Sequence, residues 1–300
     1  MNTMLTSEEA LEVINKNYNL GDINYCMLVR RGFNDTYLID TGHQKYIFRM
    51  YLNGKYYVES DDAYRFELNL IKHLHTQGVP VANAIPTEKG DLLGKEKTQK
   101  GQRTFALFYY ADGIPLNRDS VTIKQGYQMG VALANLHLAA NSFECKYGRY
   151  KLDLKYLVDE PMRLVSEGEQ CAEPNDLIKR GQYVIEKLQP IESYIDRINS
   201  IGIDGDKFGI IHADMHLGNI HFHGEELTIF DFDHCAFGWR AYDLAISSGL
   251  PKDQKVAMIE GYESRRPLSS EERDSLQDFS NLRNLWDIGD ILATENLKAN

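Results

Sequence analysis

Phe208-Gly209-Ile210-Ile211-His212-Ala213-Asp214-Met215-His216-Leu217-Gly218-Asn219-Ile220, followed shortly by Leu227-Thr228-Ile229-Phe230-Asp231-Phe232-Asp233, is the stretch that decides the fold of this chain. An apolar run breaks into a polar loop, and a second apolar run ends in two carboxylates. Short β-branched and aromatic runs bounded by Gly and polar residues read as strands. Polar side chains at strand ends, where loops open, are well placed for chemistry.

Phosphoryl transfer needs a carboxylate near the attacking hydroxyl and oxygen ligands for magnesium. Kinase loops set an Asp and an Asn five residues apart, with a second metal-binding Asp about a dozen further on. Here Asp214 and Asn219 have that spacing, and Asp231 stands twelve beyond Asn219, in Asp-Phe-Asp where protein kinases have Asp-Phe-Gly. An Asp-x4-Asn alone is frequent by chance; the three together are specific. A rival reading gathers His212, His216, His221, His223 and His234 into a zinc or di-metal hydrolase site. His221 and His223 would share one strand face, but that reading leaves the N-terminal part unexplained.

Outward from this island, the chain divides into two kinds of sequence. Thr6-Ser7-Glu8-Glu9 reads as a capping box opening a helix. Tyr25–Tyr51 reads as an antiparallel meander that includes Tyr46-Ile47-Phe48-Arg49-Met50. Tyr64, Leu68, Ile71 and Leu74 then recur at helical spacing, with Glu67 on the same turn, and Gly78-Val79-Pro80 ends that helix. Residues 89–103 suit an exposed hairpin tip. Thr104–Tyr110 is an apolar strand that runs into Ala111-Asp112-Gly113-Ile114-Pro115, the candidate interlobe connection. Beyond it, helices are expected over 125–140, 177–198, 253–264 and 270–298, while 143–175 fits either two helices or a long loop. The expected fold is α+β and two-lobed: residues 1–110 form a small antiparallel sheet with one helix, and residues 111–300 a larger, mainly helical lobe carrying the catalytic and metal-binding loops.

The 300 residues suffice for two lobes sharing a cleft. No window approaches the roughly 18 consecutive apolar residues of a membrane helix, and Glu8 and Glu9 argue against a secretory signal. A cytoplasmic protein is the expectation. Cys26, Cys145, Cys171 and Cys235 form no CxxC pair and read as reduced thiols. The net charge of −11 disfavours nucleic acid and anionic membranes as partners.

The segment His212–Asn219 with Asp231-Phe232-Asp233 resembles the signature of the aminoglycoside phosphotransferase and choline kinase family, which includes kinase-like homoserine kinases. The likeness extends to Leu133-Ala134-Asn135-Leu136-His137 and to Ala241-Tyr242-Asp243-Leu244-Ala245. It implies a kinase-like fold, ATP and magnesium between the lobes, and a small-molecule hydroxyl as acceptor. Asp214 would be the catalytic carboxylate, with Asn219 and Asp231 as magnesium ligands. His212 and Asp243 would support the loop. Asp233 would assist a metal, contact substrate, or pair with a cation such as Arg240. Gly32-Phe33-Asn34-Asp35-Thr36 would turn over the phosphates, with Gly32 permitting close approach and Asn34 beside it. Arg49 would position the phosphates and pair with Glu67, where many relatives have lysine; Lys45 is the alternative cation.

Adenine would lie against Phe108–Gly113, including Tyr109 and Tyr110, although Phe108 and Tyr110 also read as core aromatics. Trp286, Asp287, Asp290 and Glu295 either receive an amine-bearing acceptor or form a solvated helix face. A protein Ser/Thr kinase and a nucleotide-binding pseudoenzyme are the competing functions. Asp243 stands only twelve positions beyond Asp231, too short a stretch for a typical activation segment.

Overall fold

The structure is a computed structural model that describes residues 5–32, 34–98, 101–169 and 175–299. Phe33 and Cys171, singled out in the sequence, lie outside them. Helix α1 (Ser7–Asn17) opens with the expected capping box: Glu9 N–H donates to Thr6 Oγ1, and Thr6 N–H to Glu9 Oε2. Strands β1 (Tyr25–Arg31), β2 (Asn34–Asp40) and β3 (Lys45–Tyr51) form the meander, followed by α2 (Asp62–Thr76). β4 (Ala84–Ile85), β5 (Gly94–Thr98) and β6 (Gly101–Tyr109) complete an antiparallel sheet of order β1-β2-β3-β6-β4, with β5 paired to β6.

Strand alternation gives this sheet two different faces. Tyr37, Ile39, Phe48, Met50, Phe105 and Leu107 pack beneath Ala10, Val13 and Ile14 of α1. The opposite face carries a row set by register, in which Met27 pairs with Leu38, Leu38 with Ile47, and Ile47 with Phe108. Arg49 lies on this second face, paired with Ala106. Within residues 89–103, expected as an exposed hairpin tip, β5 and the start of β6 pair antiparallel with Thr98 opposite Gly101, while Arg103 is buried within 4 Å of Asp35.

After Tyr109 the chain crosses to the second lobe. β7 (Ile114–Pro115) joins β9 (Ile220–His223) and β10 (Glu226–Ile229), while β8 (Phe208–Ile211) pairs with β11 (Ala236–Trp239). Gly113 makes the crossing possible. Its φ is +106°, and a Cβ there would stand 2.3 Å from the Phe222 carbonyl oxygen.

The helices are α3 (Ile123–Ala140), α4 (Glu160–Glu169), α5 (Asp176–Lys187), α6 (Glu192–Ile201), α7 (Arg240–Leu244), α8 (Lys252–Glu263) and α9 (Ser270–Ala299). A π-helical turn, Lys155–Asp159, leads into α4. Residues 177–198 are therefore two helices, because Pro190 cannot donate the backbone bond a continuous helix needs. α9 packs against α4, α5, α6 and α7, so Leu282, Leu285, Trp286 and Ile288 are buried. Its inner side is not a solvated face. No helix among the described residues is long and apolar enough to cross a membrane.

Candidate active site

The pairing of Ala236 with Ile211 brings the end of β8 beside the start of β11. The loop after β8 and the turn before β11 therefore lie side by side. Asp243 anchors that loop. Its two oxygens accept the N–H groups of His212 at 2.7 Å and Ala213 at 2.8 Å, and His137 Nε2 lies 3.1 Å away. This bracing holds Ala213 at φ +66°, a left-handed conformation that Ala rarely adopts. His212 adds a bond from its ring to the Phe230 carbonyl at 3.0 Å. Asp243 and His212 thus both contact the segments that flank Asp214.

Asp214 and Asn219 are in contact. Asn219 Nδ2 donates to the Asp214 backbone carbonyl at 3.0 Å and to Asp214 Oδ2 at 3.2 Å. Arg283 of α9 donates to Asp214 Oδ1 at 2.8 Å and to the Met215 carbonyl at 2.9 Å. Burial raises the Asp214 carboxyl to about 7 against the opposing charge of Arg283, with Asp231 and Asp287 adding to the rise.

Asp231 sits at φ +67° and ψ +61°. Arg49 Nη2 donates to its Oδ1 at 2.9 Å while Nη1 donates to Glu67 Oε1 at 2.8 Å. Burial, the largest influence, opposes ionisation of Asp231, but Arg49, Arg30 and His234 together outweigh it and hold the carboxyl below its usual value. The two carboxylates likewise outweigh burial of Arg49, which stays charged. The cation of β3 at the site is therefore Arg49. Lys45 is exposed and stands over the Tyr110 ring.

Two cavities flank this pair. One, of about 170 Å³, is lined by Ile47, Ile71, Ala82, Phe108, Ala111 and Phe230, and also by Tyr109 and Tyr110. The other, of about 440 Å³, has charged walls that include Asp214, His216, Arg283, Asp287 and Asp290. Arg49 and Asp231 line both. Gly32 lines neither and follows the last residue of β1.

Of the alternatives for Asp233, the contact present is pairing with a cation, but the cation is not Arg240, which donates to Asn141. The partner is Lys55, a residue that sequence reasoning missed, at 2.7 and 2.8 Å. Asn34 joins this pair: its Nδ2 donates to Asp233 Oδ2 at 3.0 Å and its Oδ1 accepts from Lys55. Arg283 was missed too, although its phase on α9 differs from that of Leu282, Leu285 and Trp286. The histidines of the rival reading are dispersed: His221 bonds the Ala111 carbonyl, His234 faces Asp290, and His216 accepts from Gly218. No set of three or more His, Cys, Asp or Glu side chains suited to a metal occurs among the described residues.

Residues 28–277 match the model of the phosphotransferase enzyme family. The chain belongs to that family. A homoserine kinase from Agrobacterium fabrum is 28% identical over 290 residues, spanning 91% of this chain and 81% of that protein. A solved structure of the microcompartment-associated aminopropanol kinase superposes with a TM-score of 0.74 at 21% identity, covering 96% of this chain and 92% of that one. Amicoumacin kinase hAmiN, solved with AMP-PNP, Ca2+ and Ami, gives 0.75 at 20% identity, covering 95% and 85%. At these identities the two structures establish the kinase-like, two-lobed fold. Within this phosphotransferase, the two cavities and the residues between them form the candidate active site.

Proposed function

We propose that this phosphotransferase moves the γ-phosphoryl group of ATP, with magnesium, to a hydroxyl of a small molecule. The observation that carries the proposal is that the apolar cavity and the charged cavity meet at Arg49 and Asp231. Residues 1–110 would supply the nucleotide's roof and residues 111–300 the acceptor side, divided at the Tyr110–Gly113 connection.

In this reading adenine lies in the smaller cavity, beneath Ile47 and Phe108 and beside the backbone of Tyr109, Tyr110 and Ala111. Gly32 would approach the phosphates through its backbone amide, and Arg49, oriented by Glu67, meets them as a charged donor. Asn219 and Asp231 offer hard oxygen ligands, and Asp231 is held ionised, so the pair fits magnesium. Magnesium bound there would neutralise charge developing on the phosphates.

Asp214 then orients the acceptor hydroxyl and takes its proton, a role suited to a carboxyl near neutrality. A carboxylate has about four lone-pair sites, so the donors from Arg283 and Asn219 leave room for a hydroxyl. The chain passes from Asp231 through β11 directly into α7, without a long segment for docking a protein substrate.

The charged cavity favours an acceptor bearing an amine. Asp290 is 3% exposed, its Oδ1 has no hydrogen-bond partner, and it lines that cavity with Asp287 and Trp286. Burial keeps this carboxyl protonated while the cavity holds no cation, and an incoming ammonium would displace the proton and pair with the carboxylate. Glu295 is exposed and does not line the cavity. The test is an ATP-consumption screen with magnesium across amino alcohols, homoserine, aminoglycosides and neutral sugars. Turnover with an amine-bearing alcohol is expected; turnover confined to neutral sugars would refute the amine assignment.

A further inference from the structure

Two charged networks tie the small lobe to the Asp231-Phe232-Asp233 turn. The first is Glu67–Arg49–Asp231. In the second, Lys55 Nζ lies 2.8 and 2.7 Å from the two oxygens of Asp233 and 2.7 Å from Asn34 Oδ1. Asn34 Nδ2 donates to Asp233 Oδ2 at 3.0 Å, and the Tyr57 hydroxyl donates to the same oxygen at 3.2 Å. The rings of Tyr51, Tyr57 and Tyr64 stand 5.4, 5.8 and 5.6 Å from the ammonium. Lys55 is 3% exposed and Asp233 2%.

Buried ion pairs add little net stability, because desolvation offsets their attraction. The position of the network is more informative. Asn34 is the first residue of β2, directly after the β1–β2 turn. Lys55 lies in the loop between β3 and α2, and Asp233 is two residues from Asp231. One ammonium thus connects the strand that leaves the phosphate-covering turn to the turn that carries the metal carboxylate. With its donors in place, Asp233 is drawn toward the small lobe.

We propose, resting on the phosphotransferase reading above, that Lys55 is a positioning residue. By binding Asp233 and Asn34 together it fixes the separation of the start of β2 from Asp231, and so the geometry in which magnesium and the phosphates are gripped. Asp233 serves as a strut and leaves metal ligation to Asp231 and Asn219.

The test is ADP binding by calorimetry with and without magnesium, on the full chain. Three proteins are compared: the unaltered one, Lys55→Met, and Lys55→Met/Asp233→Asn, which removes both buried charges and protects the fold. In the double variant, the tightening of ADP by magnesium should fall about tenfold or more, the range seen when groups supporting metal ligands are removed. Magnesium-free ADP affinity should stay within about twofold, because the adenine cavity does not include Lys55. Full magnesium enhancement in a folded double variant overturns the proposal. So does an equal loss with and without magnesium, which marks a clamp on the fold alone. If the unaltered protein shows no magnesium-dependent ADP binding, the phosphotransfer reading itself fails, and the role of Lys55 with it.

Discussion

Arg49 Nη2 donates to Asp231 Oδ1 across the cleft at 2.9 Å, joining β3 of one lobe to the turn before β11 of the other. The same guanidinium holds Glu67 with its second nitrogen. A planar fork can serve two carboxylates at once, whereas an ammonium is a single point charge. Arg49→Ala should lower kcat/KM by about 100-fold or more, as expected when a charged donor to the transition state is lost. Arg49→Lys should recover only part of that activity. Steady-state kinetics on the two variants checks this, and full activity in Arg49→Lys would deny the fork any special role.

Asp290 predicts a pH-dependent stability. Burial, together with the charges of Asp214 and Asp233, raises its carboxyl well above the ordinary value. The folded protein therefore keeps a proton that the unfolded chain releases, and stability attributable to this group declines as pH rises from roughly 4 toward neutrality. Asp290→Asn should remove that loss. The variant should melt at least about 2 °C higher at pH 7 and no higher at pH 3. It should also bind an amine-bearing acceptor more weakly, so that KM rises while stability improves. Melting curves at the two pH values check the sign.

Asp243 accepts two backbone N–H groups and the His137 ring while fully buried. Asp243→Ala strands these donors and releases the loop that holds Ala213 in its left-handed conformation. A loss of about 3 kcal/mol is expected, with a large fall in kcat. Urea unfolding measures the first and turnover the second. Ala213→Gly, by contrast, should retain stability to within about 1 kcal/mol, since glycine adopts that conformation without strain.

Gly113 is the third structural test. Any Cβ there meets the Phe222 carbonyl, and φ is +106°. Gly113→Ala should cost at least about 1–3 kcal/mol and, on the proposed placement of adenine, weaken ADP binding by displacing Ala111 from the smaller cavity. Calorimetry with ADP and a melting curve report both effects.

The parts that were legible in the sequence are those whose signal is local. Asp214, Asn219 and Asp231 stand in one short island at characteristic spacing, and Arg49 and Glu67 announce themselves by strand parity and helical phase. Lys55 lies in Asn53-Gly54-Lys55-Tyr56-Tyr57, a loop with no periodicity, and its partner is 178 positions away. Nothing local could pair them. β7, β11 and the two-residue β4 are short strands whose existence depends on partners elsewhere in the chain. The break between α5 and α6 was signalled by Pro190, yet the apolar period on either side masked it. For Asp290 the choice between a solvated face and an acceptor pocket stays open in the sequence, because the acidic residues of α9 are visible there and the helices that cover it are not.

The central claim is that Asp214 orients and deprotonates an acceptor hydroxyl beside a nucleotide held between the lobes. The most direct measurement is transfer of label from γ-labelled ATP to an acceptor found by the screen, compared between the unaltered protein and Asp214→Asn, with MgADP affinity measured on both. Transfer should fall by about 10²- to 10⁴-fold, the usual range for a positioned general base, while MgADP affinity stays nearly constant. Undiminished transfer by Asp214→Asn would contradict the account, as would a protein that binds MgADP yet phosphorylates none of the acceptors.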